Sequence, residues 1–273
     1  MHPHGHGQQQ KLSLPGIRQA IAVASGKGGV GKSTVAANLA LALRGRGFAV
    51  GLMDADIYGP SVPMMMGVGL VDQAVTPLPI EKYGLRLASI GFLIDPVKPM
   101  IWRGPMVHKA VNDLLTQINW GALDYLVIDL PPGTGDAQLT LTQTAPLTGA
   151  VIVTTPQDVA LIDARKGLEM FRQVRVPVLG IVENMSYFEP APGQRHYLFG
   201  QGGGRKMAHE AGVPFLGEVP IDPRVTECGD QGEPIVQRYP ESAVAQAYAK
   251  LAEVVAAEAG KAAEQDQLPQ VEL

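Results

Sequence analysis

The sequence predicts an α/β fold, a mostly parallel sheet with helices on both faces. Three observations carry that prediction. Short apolar runs of strand length alternate with helical stretches along most of the 273 residues. The first run, Ile21-Ala22-Val23, passes through a glycine-rich loop directly into a helix from Val35 to about Arg44. Two further runs end in carboxylates, at Asp54-Ala55-Asp56 and at Asp129. Open α/β sheets bind ligands at the carboxyl ends of their strands.

Composition narrows the classes. With 46% hydrophobic and 18% charged residues, the chain suits one large domain with a substantial core. A formal net charge of −4 argues against a nucleic-acid partner held by bulk electrostatics. No apolar run approaches the roughly 20 residues of a membrane span, so no membrane partner is expected. The start, Met1-His2-Pro3-His4-Gly5-His6, lacks the apolar core of a secretory signal. We read residues 1–16 as a disordered polar leader, 17–260 as a single domain and 261–273 as a flexible tail. Cys228 is the single cysteine, which excludes an internal disulfide framework and fits a cytoplasmic protein.

The loop after the first strand is Gly26-Lys27-Gly28-Gly29-Val30-Gly31-Lys32-Ser33-Thr34. Gly26, Gly31, Lys32 and Ser33 satisfy the phosphate-loop pattern, in the strand–loop–helix context it requires. Its glycines let backbone N–H groups wrap around phosphates, and the following helix aims its positive dipole end at them. Lys32 adds a charge near the β- and γ-phosphates, and the Ser33 hydroxyl suits Mg²⁺. These residues, with Val30 and Thr34, mark a nucleotide site and place the fold among P-loop NTPases.

Phe48 to Met53 is the second strand, and Asp54 after it reads as a structural carboxylate. Residues 60–84 are rich in proline, glycine and methionine. Within them Pro63-Met64-Met65-Met66 is read as a packed loop or short helix, with an adaptable apolar surface as the alternative. Leu85–Ile90 is a strand, and Met106 to about Ile118 a helix. Asp124–Asp129 is apolar up to a terminal carboxylate, the Walker B arrangement, so Asp129 would hold magnesium through water. The loop Leu130-Pro131-Pro132-Gly133-Thr134-Gly135-Asp136 then lies at the γ-phosphate end, with Thr134 and Asp136 as candidate switch residues. Gly149–Pro156 and Val178–Asn184 are strands flanking a helix from Asp158 to about Val174. Phe215–Pro220 closes the series. A helix from about Glu241 to Glu258 precedes an unstructured Gln265–Leu273, and it lacks the basic amphipathic face of a membrane-binding terminus.

Lys27 gives the loop the form K-G-G-V-G-K-S-T, which resembles the MinD/ParA/nitrogenase-reductase branch of P-loop proteins. The resemblance implies an ATP-dependent homodimer in which Lys27 reaches the partner subunit's nucleotide. It implies that Asp56 orients the attacking water and contacts Mg²⁺ through water, so that Lys27, Lys32 and Asp56 are catalytic. It also puts Asn184, Pro220 and Asp222 around adenine; a carboxamide can donate and accept toward a base edge. Longer strings narrow the branch: Val23–Thr34, Asp54-Ala55-Asp56-Ile57-Tyr58-Gly59-Pro60-Ser61, Trp102-Arg103-Gly104-Pro105, Asp129–Asp136 and Glu183-Asn184-Met185-Ser186. Together they resemble the Mrp/ApbC family, from about residue 15 to 250. That implies cytoplasmic homodimers that bind and slowly hydrolyse ATP and carry a labile iron–sulfur cluster, with assembly proteins or client apoproteins as partners. A small N-terminal domain often precedes the ATPase in such proteins, and the leader is read as the remnant of a linker to one.

One departure stands out. Cluster-carrying relatives place Cys-x-x-Cys just after the Asn-Met-Ser string, whereas Ser186–Tyr197 here contains no cysteine. Pro190 and Pro192 stand about where the thiolates would be and offer iron no donor. Glu189 and His196 have donor atoms but also read as ordinary loop residues. Cys228 is the one thiol left as a cluster ligand, and a dimer supplies two of them. Two functions therefore stay open: an ATP-driven cluster carrier, or an ATP-gated interaction switch that binds no cluster itself.

Overall fold

The computed structural model describes residues 12, 14–69, 78–93 and 104–267. Eight strands form one sheet: β1 (Ile17–Ser25), β2 (Val50–Asp54), β3 (Ile80–Lys82), β4 (Leu85–Ser89), β5 (Leu123–Asp129), β6 (Gly149–Thr154), β7 (Val178–Phe188) and β8 (Phe215–Ile221). Their spatial order is β3-β4-β2-β5-β1-β6-β7-β8. Only β3 runs antiparallel, against β4. The parallel strands carry continuous apolar runs because both faces of the sheet are covered. Within a strand the side chains still alternate. Ile21 and Val23 of β1 enter one core, while Ala20, Ala22 and Ala24 enter the other.

The first core is closed by α1 (Lys32–Gly45), the short helices α2 (Val62–Met65), α7 (Arg224–Asp230) and α8 (Ile235–Arg238), and the long α9 (Ala243–Gln267). Leu39 and Leu43 of α1 meet Tyr248, Leu251 and Val255 of α9 there. The second core lies under α3 (Gly104–Thr116), α4 (Asp136–Thr144), α5 (Asp158–Gln173) and α6 (Gly203–Ala211). Val111, Leu114, Leu141, Leu168, Phe171 and Met207 fill it. None of the described helices is long and apolar enough to cross a membrane.

Most predicted elements are present, with differences at their ends. β1 begins four residues before Ile21, since Gln19 and Ala20 also join the ladder to β5. The segment 60–84 hides an edge strand, β3, too short to carry a periodic signal. Pro63–Met66 contributes the single turn of α2, with Met66 buried and Met64 exposed. The helix of the tail runs to Gln267, past the expected break, because alanines at 259 and 262 keep packing on the first core. Leu12 and Leu14, in the expected leader, lean against the second core, and the Leu12 N–H donates to Thr144. Residues 1–11 and 13 of that leader, Trp102-Arg103 and residues 268–273 lie outside the described residues.

Strand order and register decide where the chemistry falls. β1, β2 and β5 are adjacent, Asp54 pairs in register with Asp129, and Val23 pairs with Asp129 on the other side. The loop after β1 and the carboxylates ending β2 and β5 therefore open on one spot. Phe171, fully buried on α5, holds that helix beneath the same spot. Phe171→Ala should cost about 3–5 kcal/mol, measured by chemical denaturation.

Candidate nucleotide site

The loop 26–31 has a shape that its glycines permit. A Cβ on Gly26 would lie 2.0 Å from the Asp163 carbonyl carbon, so only glycine lets the loop rest on the α5 backbone. Gly31 has φ +80°, and a Cβ there would meet Asn184 Nδ2 at 2.3 Å. Gly28 and Gly29 face open space instead. The Ser25 hydroxyl donates to the Lys27 carbonyl at 2.9 Å and folds the loop back on its strand. Lys27 itself forms no ion pair among the described residues, so its charge is unspent. No acidic side chain sits in the first turn of α1 and none caps it, which leaves its N–H groups and positive dipole end for an anion.

Lys32 is buried at the mouth of this loop. Its Nζ lies 2.7 Å from Asp129 Oδ1 and 3.4 Å from Asp56 Oδ2, and 3.2 Å from the Ser33 hydroxyl. Burial pushes the Asp129 carboxyl above the usual carboxylate range, against the pull of Lys32. Asp129 Oδ2 is buried with no hydrogen-bonding partner among the described residues. Asp56 accepts from the N–H groups of Tyr58 and Gly59 through Oδ1, which turns Oδ2 toward Lys32. Asp54 is an anchor, as the sequence suggested. It accepts from the Asp56 and Val62 N–H groups and from the Ser89 hydroxyl, so it fixes both ends of the loop from β2 to α2. Burial first, and then the Asp129 charge, raise its pKa to about 8.

This donor set fits magnesium. An orphaned Asp129 oxygen, the Ser33 hydroxyl and Asp56 are hard oxygen donors at one point. No three His, Cys, Asp or Glu side chains among the described residues converge into a protein-only metal cage. Magnesium commonly keeps several waters and takes few protein ligands.

Behind the loop opens a cavity of about 450 Å³, lined by Gly31, Thr34, Asn38, Asn184, Pro220, Asp222 and the apolar Val225, Ile235 and Tyr248. Its size and apolar walls suit a planar base. Asn184 Nδ2 donates to the Val30 carbonyl at 2.8 Å, an orientation assigned from that hydrogen bond. Asn184 thus clamps the phosphate loop through one of its two amide N–H groups. Asp222 is engaged by Arg224 at 2.6 Å, whose hydrogen bond holds it below the usual carboxylate range. Thr134 and Asp136 are exposed beside the site, and the Leu130 and Gly133 N–H groups tie their loop to Val23 and Ser25 of β1.

Three contributors escaped sequence reasoning. Asn38 donates to the Thr34 carbonyl and accepts from the Val236 N–H, joining α1 to the cavity wall. Fully buried Glu183 accepts from the Ser186 hydroxyl and the Gly204 N–H, so an internal carboxylate fills the glycine-rich start of α6. The third is Gln138, buried in the first turn of α4. A polar residue inside an apolar helix or strand was the available signal for Asn38 and Glu183.

The cluster candidates do not assemble. Cys228 is fully buried in the first core and burial pushes its thiol pKa up, which opposes the thiolate that binds iron. In the loop after β7, Phe188 and His196 exchange backbone hydrogen bonds. Glu189 accepts from the Gly193 N–H at 2.7 Å and from Arg195 at 3.1 Å, and the Arg195 guanidinium covers the Tyr187 ring at 4.0 Å. Glu189 is therefore spent on holding the loop.

Sheet order, phosphate loop and strand-end carboxylates together define a P-loop NTPase of the MinD/ParA fold. Pyrococcus furiosus cell-division ATPase MinD superimposes with a TM-score of 0.66 at 24% identity, covering 88% of this chain and 99% of its own. The model of the NUBPL iron-transfer P-loop NTPases matches residues 16–256, and the chain belongs to that family. An iron-sulfur cluster carrier protein of Aquifex aeolicus is 55% identical over 90% of this chain and 69% of its own length. Mouse iron-sulfur cluster transfer protein NUBPL is 49% identical over 91% and 80%. A nucleotide-binding protein from Archaeoglobus fulgidus, solved in complex with ADP, matches with a TM-score of 0.69 at 42% identity, over 80% of this chain and 88% of that one.

The glycines should separate by role. Gly26→Ala should cost about 1–3 kcal/mol or more, because backbone must move to admit the methyl group. Gly28→Ala should stay within about 0.5 kcal/mol. Parallel thermal and urea denaturation of the two variants measures the difference.

Proposed function

We propose that this chain is a cytoplasmic, homodimeric ATPase that slowly hydrolyses ATP and uses the cycle to load or release an iron–sulfur cluster for client apoproteins. The observation that carries the ATPase reading is the convergence of Lys32, Asp56 and Asp129 at an uncapped phosphate loop. The ADP complex of the Archaeoglobus relative supports it, and the carrier and transfer names of the curated relatives support the cargo.

In this reading the phosphates lie against the N–H groups of residues 28–34, and Lys32 exchanges Asp129 for the β- and γ-phosphates. Asp56, on a loop that Asp54 keeps rigid, orients the attacking water toward the γ-phosphate and receives its proton. Magnesium would be held by Ser33, and through water by Asp56 and Asp129; when bound it neutralises phosphate charge. Lys27, free of internal partners, reaches across the dimer to the other nucleotide and stabilises charge developing in the transition state. The base enters the cavity beside Asn184, Pro220 and Asp222. Thr134 and Asp136 respond to the γ-phosphate, so that the 130–136 loop reports hydrolysis to the bound client.

A second reading has its own support, in the buried Cys228 and the ion-paired loop 187–197. Here ATP closes the dimer around a partner that supplies the cluster ligands, and this chain supplies none.

Lys32→Ala and Asp56→Asn should each lower ATP turnover at least about 100-fold, and unaltered turnover in Lys32→Ala protein would exclude the mechanism. Anaerobic reconstitution with iron and sulfide separates the two readings. Acid-labile sulfide bound stoichiometrically per dimer supports the carrier; none, in protein that still binds ATP, supports the scaffold. Cys228→Ser should leave the cluster content unchanged in either case.

A further inference from the structure

Gln138 is 1% exposed, and neither its Nε2 nor its Oε1 has a hydrogen-bonding partner among the described residues. Buried amide groups are almost always paired, and leaving one unpaired is costly. A group of this kind calls for an explanation, and its place in the chain offers one. It sits in the first turn of α4, directly after the loop 130–136. That loop starts at Asp129, whose Oδ2 is likewise buried and unpartnered. Among the described residues the remaining orphan, Gln19 Oε1, lies elsewhere, near the start of β1.

The segment between the two orphans is anchored at its ends by Leu130 and Ala137, both buried in the second core. The Leu130 and Gly133 N–H groups each reach β1 at 3.0 Å, and residues 134–136 are exposed. Gly135 precedes α4 without a side-chain cap. Beyond the first turn the helix is firmly seated through Leu141, which is fully buried, and through the Ala145 N–H on the Leu141 carbonyl. A shift of the exposed 134–136 stretch is therefore passed to Gln138 through one buried residue, Ala137, ahead of the fully buried Leu141.

We infer that Gln138 is the positioning residue of the 130–138 segment: its unpaired carboxamide destabilises the arrangement described above, and it gains a partner when Mg-nucleotide draws the segment toward the γ-phosphate. The inference rests on the nucleotide reading above and adds what sets the balance between its two states. Gln138 acts through the loop that carries Thr134 and Asp136.

The test uses Gln138→Leu and Gln138→Met, which keep side-chain bulk and remove the polar groups, with Mg²⁺ and a non-hydrolysable ATP analogue as the probe. Each variant should melt about 2–4 °C higher than wild type without nucleotide. Each should gain less from Mg-analogue than wild type does, with an affinity loss of roughly 5–30-fold. A purely structural glutamine would shift both forms in the same direction. Lower melting of both nucleotide-free variants would overturn the inference, since the carboxamide would then be satisfied at rest by buried water. Higher melting with an unchanged gain from Mg-analogue would also overturn it, by severing the strain from the nucleotide. If wild type itself gains nothing from Mg-analogue, the nucleotide reading fails and takes this inference with it, an outcome visible without either variant.

Discussion

The buried ion pair between Lys32 and Asp129 is the interaction around which the rest is arranged. Two charges taken out of water carry a desolvation cost of several kcal/mol each, and attraction offsets it only with good geometry and full hydrogen bonding. Here the bonding is incomplete, because Asp129 Oδ2 is left over. The surroundings make the arrangement tolerable. Asp54, in register beside Asp129, has its carboxyl pushed upward by burial and by the Asp129 charge, which lessens the charge it adds to the site. Lys32 is ion-paired with Asp56 and Asp129. One cation between two anions leaves an excess of negative charge, which a divalent cation offsets.

Packing conveys this local balance outward. Gly26 lies on the α5 backbone, Asn184 clamps Val30, and Asn38 ties α1 to α8. The phosphate loop thereby touches both layers of the fold. On the far side of β7, Glu183 secures the glycine-rich start of α6 one residue away from Asn184. The strand end that lines the cavity also supports the loop after Phe188, so cavity wall and loop share one strand.

Much of this was legible because it obeys local rules. The phosphate loop could be read from spacing alone, and the strands from continuous apolar runs that a doubly covered sheet demands. Asp56 and Asp129 could be read from their positions at strand ends. What escaped was set by tertiary contact. β3 is three residues long and exists through pairing with β4. The second role of Asn184, and all of Asn38, depend on which carbonyl lies opposite. The state of Cys228 depends on which layer α7 joins. Nothing in its neighbours in sequence announces that the thiol is fully buried. Gln138 is invisible for the opposite reason, since its significance is a partner that is missing.

The two margins of the sheet carry a consequence of their own. One is the three-residue β3, bearing Glu81 and Lys82; the other is β8, where Pro220 lacks an N–H and Glu218 carries charge. Short, charged or proline-bearing borders resist pairing with a neighbouring molecule's backbone. A protein with a continuous parallel sheet is otherwise exposed to fibrous stacking while it folds. With its flanks blunted, the sheet offers a neighbouring molecule little bare backbone on which to extend it.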